Sequence, residues 1–351
     1  MSLTDPSHDA EPFFPPVNRD WLSKRHEAVL EPALPIIDPH HHLWDRPDWR
    51  YLFEDLLGDV RAGHNVVATV FLQCREMHRA DGPEAMRPVG ETEFVNGVAA
   101  MSASGKYGSA RICDGIVGYA DLTLGAAVQP VLDAHRIAGG SRFRGIRHGA
   151  ASNADPAFLD KTYQPPPGLL LDKRFREGFA CLAPAGLSFD AWLYHPQIDD
   201  LTSLAQAFPG TPIVLDHVGG PLGIGGYAGR RDELFAGWQQ SIRRLAACPN
   251  VFVKLGGLGM RVCGFGYFRL PQPPSSEQLA NDWRPYIDTC IDAFGTARSM
   301  FESNFPVDKA SCSYTVLWNA FKRLAAGCTP AEQADLFAGS AARFYRLNAP
   351  A

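Results

Sequence analysis

Eight short apolar runs rich in β-formers recur along the chain, each followed by a helical stretch. The strand candidates are 35-42, 66-74, 112-121, 143-149, 187-195, 211-217, 250-256 and 298-304. Several are near-continuous, such as Asn65-Val66-Val67-Ala68-Thr69-Val70-Phe71-Leu72. Continuous rather than alternating apolar runs suit a parallel sheet covered on both faces. Helical patterns fall at 91-103, 124-138, 173-185, 198-207, 231-247, 276-294 and 313-326. A last helix, 330-346, opens at Thr329-Pro330, with Thr as N-cap and Pro in the first turn. Eight strand–helix units are the count of a (β/α)₈ TIM barrel of the α/β class, and that is the predicted fold. A doubly wound open sheet is the competitor, but it needs a phosphate-binding first turn. Neither Gly264-Phe265-Gly266 nor Gly256-Gly257-Leu258-Gly259 places GxGxxG between a strand and a helix, so both read as turns.

Residues 1-32 read as an N-terminal extension with one short helix, Trp21 to Leu30, and 33-351 as a single barrel domain. The longest loops after strands are 150-172, 218-230 and 257-275, where a barrel carries function. With 46% apolar and 20% charged residues in 351, the chain can bury a large core. Its net charge of -5 and lack of a Lys/Arg block argue against nucleic-acid binding. No run is long enough to span a membrane, and the polar start lacks the features of a secretory signal. Eight cysteines without a CxxC pair suggest free thiols and a cytoplasmic setting, with no structural zinc knuckle. Oligomeric state is not written in the sequence.

Asp38-Pro39-His40-His41-His42-Leu43-Trp44 closes the first strand. Alternate strand residues share a face, so His40 and His42 point together and His41 points away, as a structural residue. Two imidazoles side by side can grip a metal ion or a polarised oxygen. In a barrel all strand ends meet at one face, which would gather Gln73, Arg75, Arg147, His148, His195, His217, Lys254, Glu302 and Asn304 around that pair. His40, His42 and His217 are the leading catalytic candidates. Gln73, Arg147, His148, His195 and the loop residue Arg261 are candidates for substrate binding, with one of Arg147 and His148 expected past the strand end. Lys254 reads as one half of a buried ion pair. His8, His26, His64, His78 and His135 read as surface or loop residues. Trp44, Tyr267 and Phe305 could wall the pocket.

Six segments carry a resemblance: Ile37 to Trp44, Gly145-Ile146-Arg147-His148, Phe189-Asp190, Leu215-Asp216-His217-Val218-Gly219-Gly220-Pro221, Asn250 to Leu255, and Met300 to Val307. From about Leu34 to Leu347 the chain resembles the amidohydrolase superfamily, in its lactonase-like, metal-dependent-hydrolase-like branch. The resemblance implies a distorted (β/α)₈ barrel that hydrolyses a carbonyl-centred bond, typically a lactone from sugar-acid or aromatic catabolism. It also implies that His40, His42 and His217 are metal ligands or carbonyl-polarising groups, and that Arg147 and His148 hold substrate carboxylate or hydroxyl groups. The small substrate would be anionic.

One position departs from the family pattern. The family's eighth strand usually ends in an aspartate within Gly-Ser-Asp-Trp-Pro, where this chain has Glu302-Ser303-Asn304-Phe305-Pro306. An amide neither accepts a proton near neutral pH nor adds charge to a metal site. Glu302 lies on the same face as Asn304, one step deeper, and burial would raise its pKa toward that of a useful base. An ion pair with Lys254 is the competing role for Glu302, and Asp308 or a pocket histidine are further bases. Three imidazoles could hold one divalent ion such as zinc with an open position; without the usual aspartate a metal-independent site is equally open. The favoured activity is lactone hydrolysis. The alternatives are a non-oxidative decarboxylase of an aromatic or unsaturated acid, and a catalytically silent barrel that binds a small acid.

Overall fold

The computed structural model describes residues 12–47, 49–158 and 163–348. All eight expected strands form: β1 (Pro35–His41), β2 (Asn65–Leu72), β3 (Arg111–Gly118), β4 (Phe143–Ile146), β5 (Ser188–Ala191), β6 (Ile213–Leu215), β7 (Val251–Leu255) and β8 (Ser299–Phe301). They lie in sequence order in one sheet, and every adjacent pair is parallel. Parallel neighbours need a crossover, which the intervening helices supply.

The barrel closes between β8 and β1 through a short seam rather than a full ladder. One parallel bridge joins His41 to Phe305. The His42 N–H donates to Phe305 O at 2.8 Å, and the Asn304 N–H donates to His40 O at 2.9 Å. The Ser303 N–H adds a bond to Asp38 Oδ1 at 2.9 Å. Register shifts between β1 and β2, β2 and β3, and β3 and β4 complete the distortion.

The apolar core has two parts. The larger lies between strands and helices. The smaller fills the barrel, where Ile37, Leu72, Val117, Val214 and Met300 meet Ala341, Phe344 and Tyr345 of the C-terminal segment. That segment plugs the end of the barrel where the strands begin: Phe344 packs against Phe252 of β7, and Arg346 Nη2 donates to Arg144 O at 3.1 Å. It runs as Pro330–Ala334, a wider turn at Asp335–Gly339, and Ser340–Tyr345. As expected, Thr329 caps it. Its Oγ1 accepts the Glu332 N–H at 3.3 Å while Glu332 Oε2 accepts the Thr329 N–H at 2.7 Å.

The helices Ile198–Ala207 and Ser276–Phe294 have the expected bounds. The first helix does not run from Trp21 to Leu30, because only Arg19–Leu22 is helical. Beyond it, Glu27 accepts the Ser276 N–H at 2.8 Å and the Leu30 N–H donates to Asn319 Oδ1 at 2.9 Å. The Leu30 N–H, and the Ala28 carbonyl that accepts Asn319 Nδ2 at 2.9 Å, are backbone groups that a continued helix would need for itself. The excursion after β1 is also richer than a plain loop, with a hairpin, Trp44–Arg46 against Trp49–Tyr51, and a helix, Phe53–Val60.

Two histidines placed at the surface by sequence are buried. Lys322 Nζ donates to His64 Nδ1 at 2.9 Å, and His135 bonds Thr92 Oγ1 and Tyr119 O, each at 2.8 Å. His8 lies outside the described residues. The cysteines are unpaired, and no helix among the described residues is long and apolar enough to cross a membrane.

Candidate active site

The C-terminal ends of the strands enclose a cavity whose lining includes His42, Gln73, Arg147, His217, Arg261 and Asn304. β1 delivers His40 and His42 to the same side, with ring centroids 5.0 Å apart, and the His217 ring lies 4.4 Å from His40. His41 points outward, where its Nε2 bonds Thr69 Oγ1 at 2.8 Å. His217, Val218 and Asn304 adopt positive φ without being glycine, a costly backbone state that packing must enforce and that clusters at functional sites.

Glu302 organises the histidines. Its Oε1 accepts both the backbone N–H of His217 at 3.0 Å and the Nδ1–H of the same residue at 2.7 Å. Its Oε2 lies 2.8 Å from His40 Nδ1. With Nδ1–H turned to a carboxylate, Nε2 is the His217 ring nitrogen left to face the cavity, which the ring lines. The close fit depends on Gly257, at φ +68, because a Cβ there would meet the His217 ring at 2.5 Å. Burial alone would raise the Glu302 carboxyl, but the facing rings of His217 and His40 hold it down at about 2. Glu302 is therefore an anion at neutral pH, and the expected upward shift does not occur.

The expected pairing of Glu302 with Lys254 gives way to another. Lys254 Nζ donates to Asp190 Oδ2 at 2.8 Å and lies 3.0 Å from Asp216 Oδ1. Lys254 is an ion-pair residue, as expected, but its acids stand on β5 and just past β6. Tyr345 Oη, on the plug, also donates to Asp190. Asp190 and Asp216 carried no assigned role in the sequence, although each interrupts or ends a run of apolar strand residues. That interruption was the available signal.

His40 is closed in on both sides. Arg147 Nη1 stands 3.2 Å from Nε2 and, as an obligate donor, fixes that nitrogen as the acceptor. Lys254 Nζ is 3.2 Å from Nδ1. Burial and then the Lys254 ammonium push the His40 pKa well below its ordinary value, so the ring is neutral. His42 is also pushed down, by burial and then Arg147, and its Nδ1–H donates to Leu72 O at 2.8 Å. Arg147 further donates to Gln73 O, and its Nε is buried without a partner.

Asn304 lines the cavity and Asp308 stands behind it. Asn304 Nδ2 donates to Asp308 Oδ1 at 3.0 Å, and the Gly259 N–H donates to Oδ2 at 3.1 Å. Burial pushes the Asp308 carboxyl up to about 7. Other expected residues fall away from the cavity. His148 packs between Tyr119, Tyr163 and Phe175 and accepts the Leu122 N–H at 3.2 Å. His195 accepts the Leu222 N–H at 3.1 Å. Both follow their strands, and the chain turns their rings toward neighbouring loops. Tyr267 donates to Asp282 and Phe305 packs on Tyr314, so Trp44 alone of the expected walls lines the cavity. Sequence reading missed the other rings that do: Phe13, Phe14 and Tyr163 sit in segments without periodic signal, and Trp192 fell inside the strand candidate 187-195 although the strand ends at Ala191.

Imidazoles, buried carboxylates and a guanidinium gathered at the strand C-termini of a (β/α)₈ barrel define an enzyme equipped for acid–base work at a polar carbon centre. The chain belongs to the amidohydrolase family, whose sequence model matches residues 37–347. It is 36% identical over 334 residues to the uncharacterized protein y4mH of Sinorhizobium fredii, covering 89% of this chain and 98% of that one. It is 28% identical over 327 residues to an L-fucono-1,5-lactonase of Burkholderia multivorans, covering 90% and 97%. A Burkholderia multivorans amidohydrolase crystallised with bound zinc superposes with a TM-score of 0.68 at 26% identity, covering 89% of this chain and 99% of that one.

Among the described residues, His40, Asp216 and His217 bring donor atoms within 4.8 Å of one another, and His42 is not in that group. The donors as placed do not fit a divalent cation. Both nitrogens of His40 face other partners, and the Asp216 oxygens face Lys254 at 3.0 Å and Arg147 at 3.6 Å. A metal ion would share this pocket with two fixed positive charges and one available imidazole nitrogen from the group, far short of a stable ligand set.

Proposed function

We propose that this amidohydrolase opens a lactone or related cyclic ester of a small acid, with His217 as the base that activates water. The observation that carries the reading is Glu302 holding the His217 Nδ1–H at 2.7 Å while the ring lines the cavity. A carboxylate bonded to Nδ1 fixes the tautomer and stabilises the imidazolium that forms when Nε2 takes a proton. The named activity of the Burkholderia multivorans relative, an L-fucono-1,5-lactonase, supports the ester class.

Water attacks the lactone carbonyl carbon as its proton passes to His217 Nε2. The Arg147 guanidinium, at the cavity wall, stabilises the oxyanion of the tetrahedral intermediate. Collapse breaks the ring C–O bond, and the departing alkoxide takes the proton back from His217. The product is the open hydroxy acid. The Asn304 amide spends its N–H₂ on Asp308, which leaves its carbonyl oxygen to accept a hydrogen bond from the attacking water. Gln73 and Arg261 complete the polar lining and hold the acid group of the substrate.

A pH-indicator assay across sugar-acid and aryl-substituted lactones tests the reading. Glu302→Gln and His217→Gln are each expected to lower kcat by about 10²–10⁴-fold, the usual worth of a positioned acid–base group. No lactone hydrolysed, or a His217→Gln enzyme as fast as the parent, would sink it.

A further inference from the structure

We infer that the substrate carries a flat aryl group beside its lactone ring, and that Phe13 and Phe14 of the N-terminal segment hold that group. This rests on the lactone reading above and narrows it to a substrate class.

The cavity wall is aromatic on two sides of the catalytic histidines. On one side the His42 ring stacks on Trp44 at 5.7 Å, and Trp44 meets Trp49 at 4.6 Å. The path continues from Trp49 to Phe14 at 6.4 Å and from Phe14 to Phe13 at 4.7 Å. On the other side Trp192 stands 5.0 Å from the His217 ring. Phe13 and Phe14 come from outside the barrel, are half-buried, and line the cavity together with the buried Pro15. The hydrogen-bonded cluster of histidines and acids thus opens into a cavity whose lining includes the rings of Phe13, Phe14, Trp44, Tyr163 and Trp192.

The cationic groups of the lining extend those flat surfaces. Arg46 lies 4.2 Å over the Trp44 ring while Glu76 pairs with it at 2.8 Å, and Arg75 lies 3.7 Å over Tyr163. With Arg147 and Arg261, four guanidiniums line the cavity, and none of its described lining residues is Asp or Glu. Such a wall attracts an anion and a planar apolar body together. A polyhydroxylated ring would meet those rings only through its C–H groups, while each hydroxyl turned toward them would need a hydrogen-bond partner that an aromatic ring does not supply. An aryl group loses nothing by the same contact and gains offset or edge-on stacking.

Two γ-lactones that share a carboxylate and differ in one substituent test this on the full-length protein: phenylparaconic acid and methylparaconic acid. The phenyl compound is expected to have the higher kcat/KM by about tenfold or more, given the apolar area a phenyl group buries. In a Phe13→Ala/Phe14→Ala variant most of that advantage should vanish through KM, with kcat and the methyl compound little changed. Equal handling of the two lactones by the parent, or a variant that loses both alike, overturns the inference. If neither lactone is opened, the wider lactone panel decides the hydrolase reading separately, and this one is decided by titrating both compounds against tryptophan fluorescence. Phenyl-selective binding that depends on Phe13 and Phe14 upholds it, and binding without that selectivity overturns it.

Discussion

Asn304 Nδ2 reaches Asp308 Oδ1 at 3.0 Å, so the amide acts as a donor toward the interior and as an acceptor toward the cavity. Restoring an aspartate there would set two buried carboxylates side by side. One must stay protonated, which raises a folded-state pKa above the unfolded value near 4. Stability from such a group is complete below that unfolded value and is lost as pH rises through the folded one. Burial already holds Asp308 at about 7, so Asn304→Asp is expected to cost about 1–3 kcal/mol more at pH 8 than at pH 5. Thermal unfolding at both values checks this, and a penalty independent of pH would contradict it. The importance of Glu302 was legible because strand alternation puts it on the face of Asn304. Its partners were not. The choice between Lys254 and His217 depends on how the ends of β6, β7 and β8 stand in depth, and no local pattern encodes that.

The eight strands of the barrel were legible because short, mostly apolar runs recur between helical stretches, near-continuous at β2, β6 and β7 where both faces are buried. The helix Ser276–Phe294 was read to the residue at its start, where the Ser275 hydroxyl accepts the Gln278 N–H at 3.1 Å. The hairpin after β1 and the helix Phe53–Val60 escaped because Pro47 and the polar residues around it read as a loop. The N-terminal helix was over-read because the Ala28 carbonyl and the Leu30 N–H are claimed by distant Asn319. The capping box at Thr329 starts the segment that plugs the barrel, so its loss should be felt globally. Thr329→Ala is expected to cost about 1 kcal/mol. A denaturant midpoint equal to that of the parent would show that the plug does not depend on its cap.

Across the whole molecule, three buried acids (Asp190, Asp216 and Glu302) face two cations (Arg147 and Lys254) around His40, and these partners already engage the nitrogens of His40 and the oxygens of Asp216. Dialysis against a strong chelator should therefore leave both lactone turnover and the melting temperature unchanged. Added zinc should raise the melting temperature little, since only a ligand that binds the native state stabilises it. A loss of turnover on dialysis that zinc reverses would refute this. The seam between β1 and β8 has a consequence for how the molecule is made. His40 and His42 leave the ribosome about 260 residues before β8, the strand that completes their surroundings. Any product of premature termination before Glu302 would carry the histidines without their carboxylate, and would be chemically inert whatever else of it had folded. The cluster of histidines and carboxylate thus cannot assemble before β8 has been made.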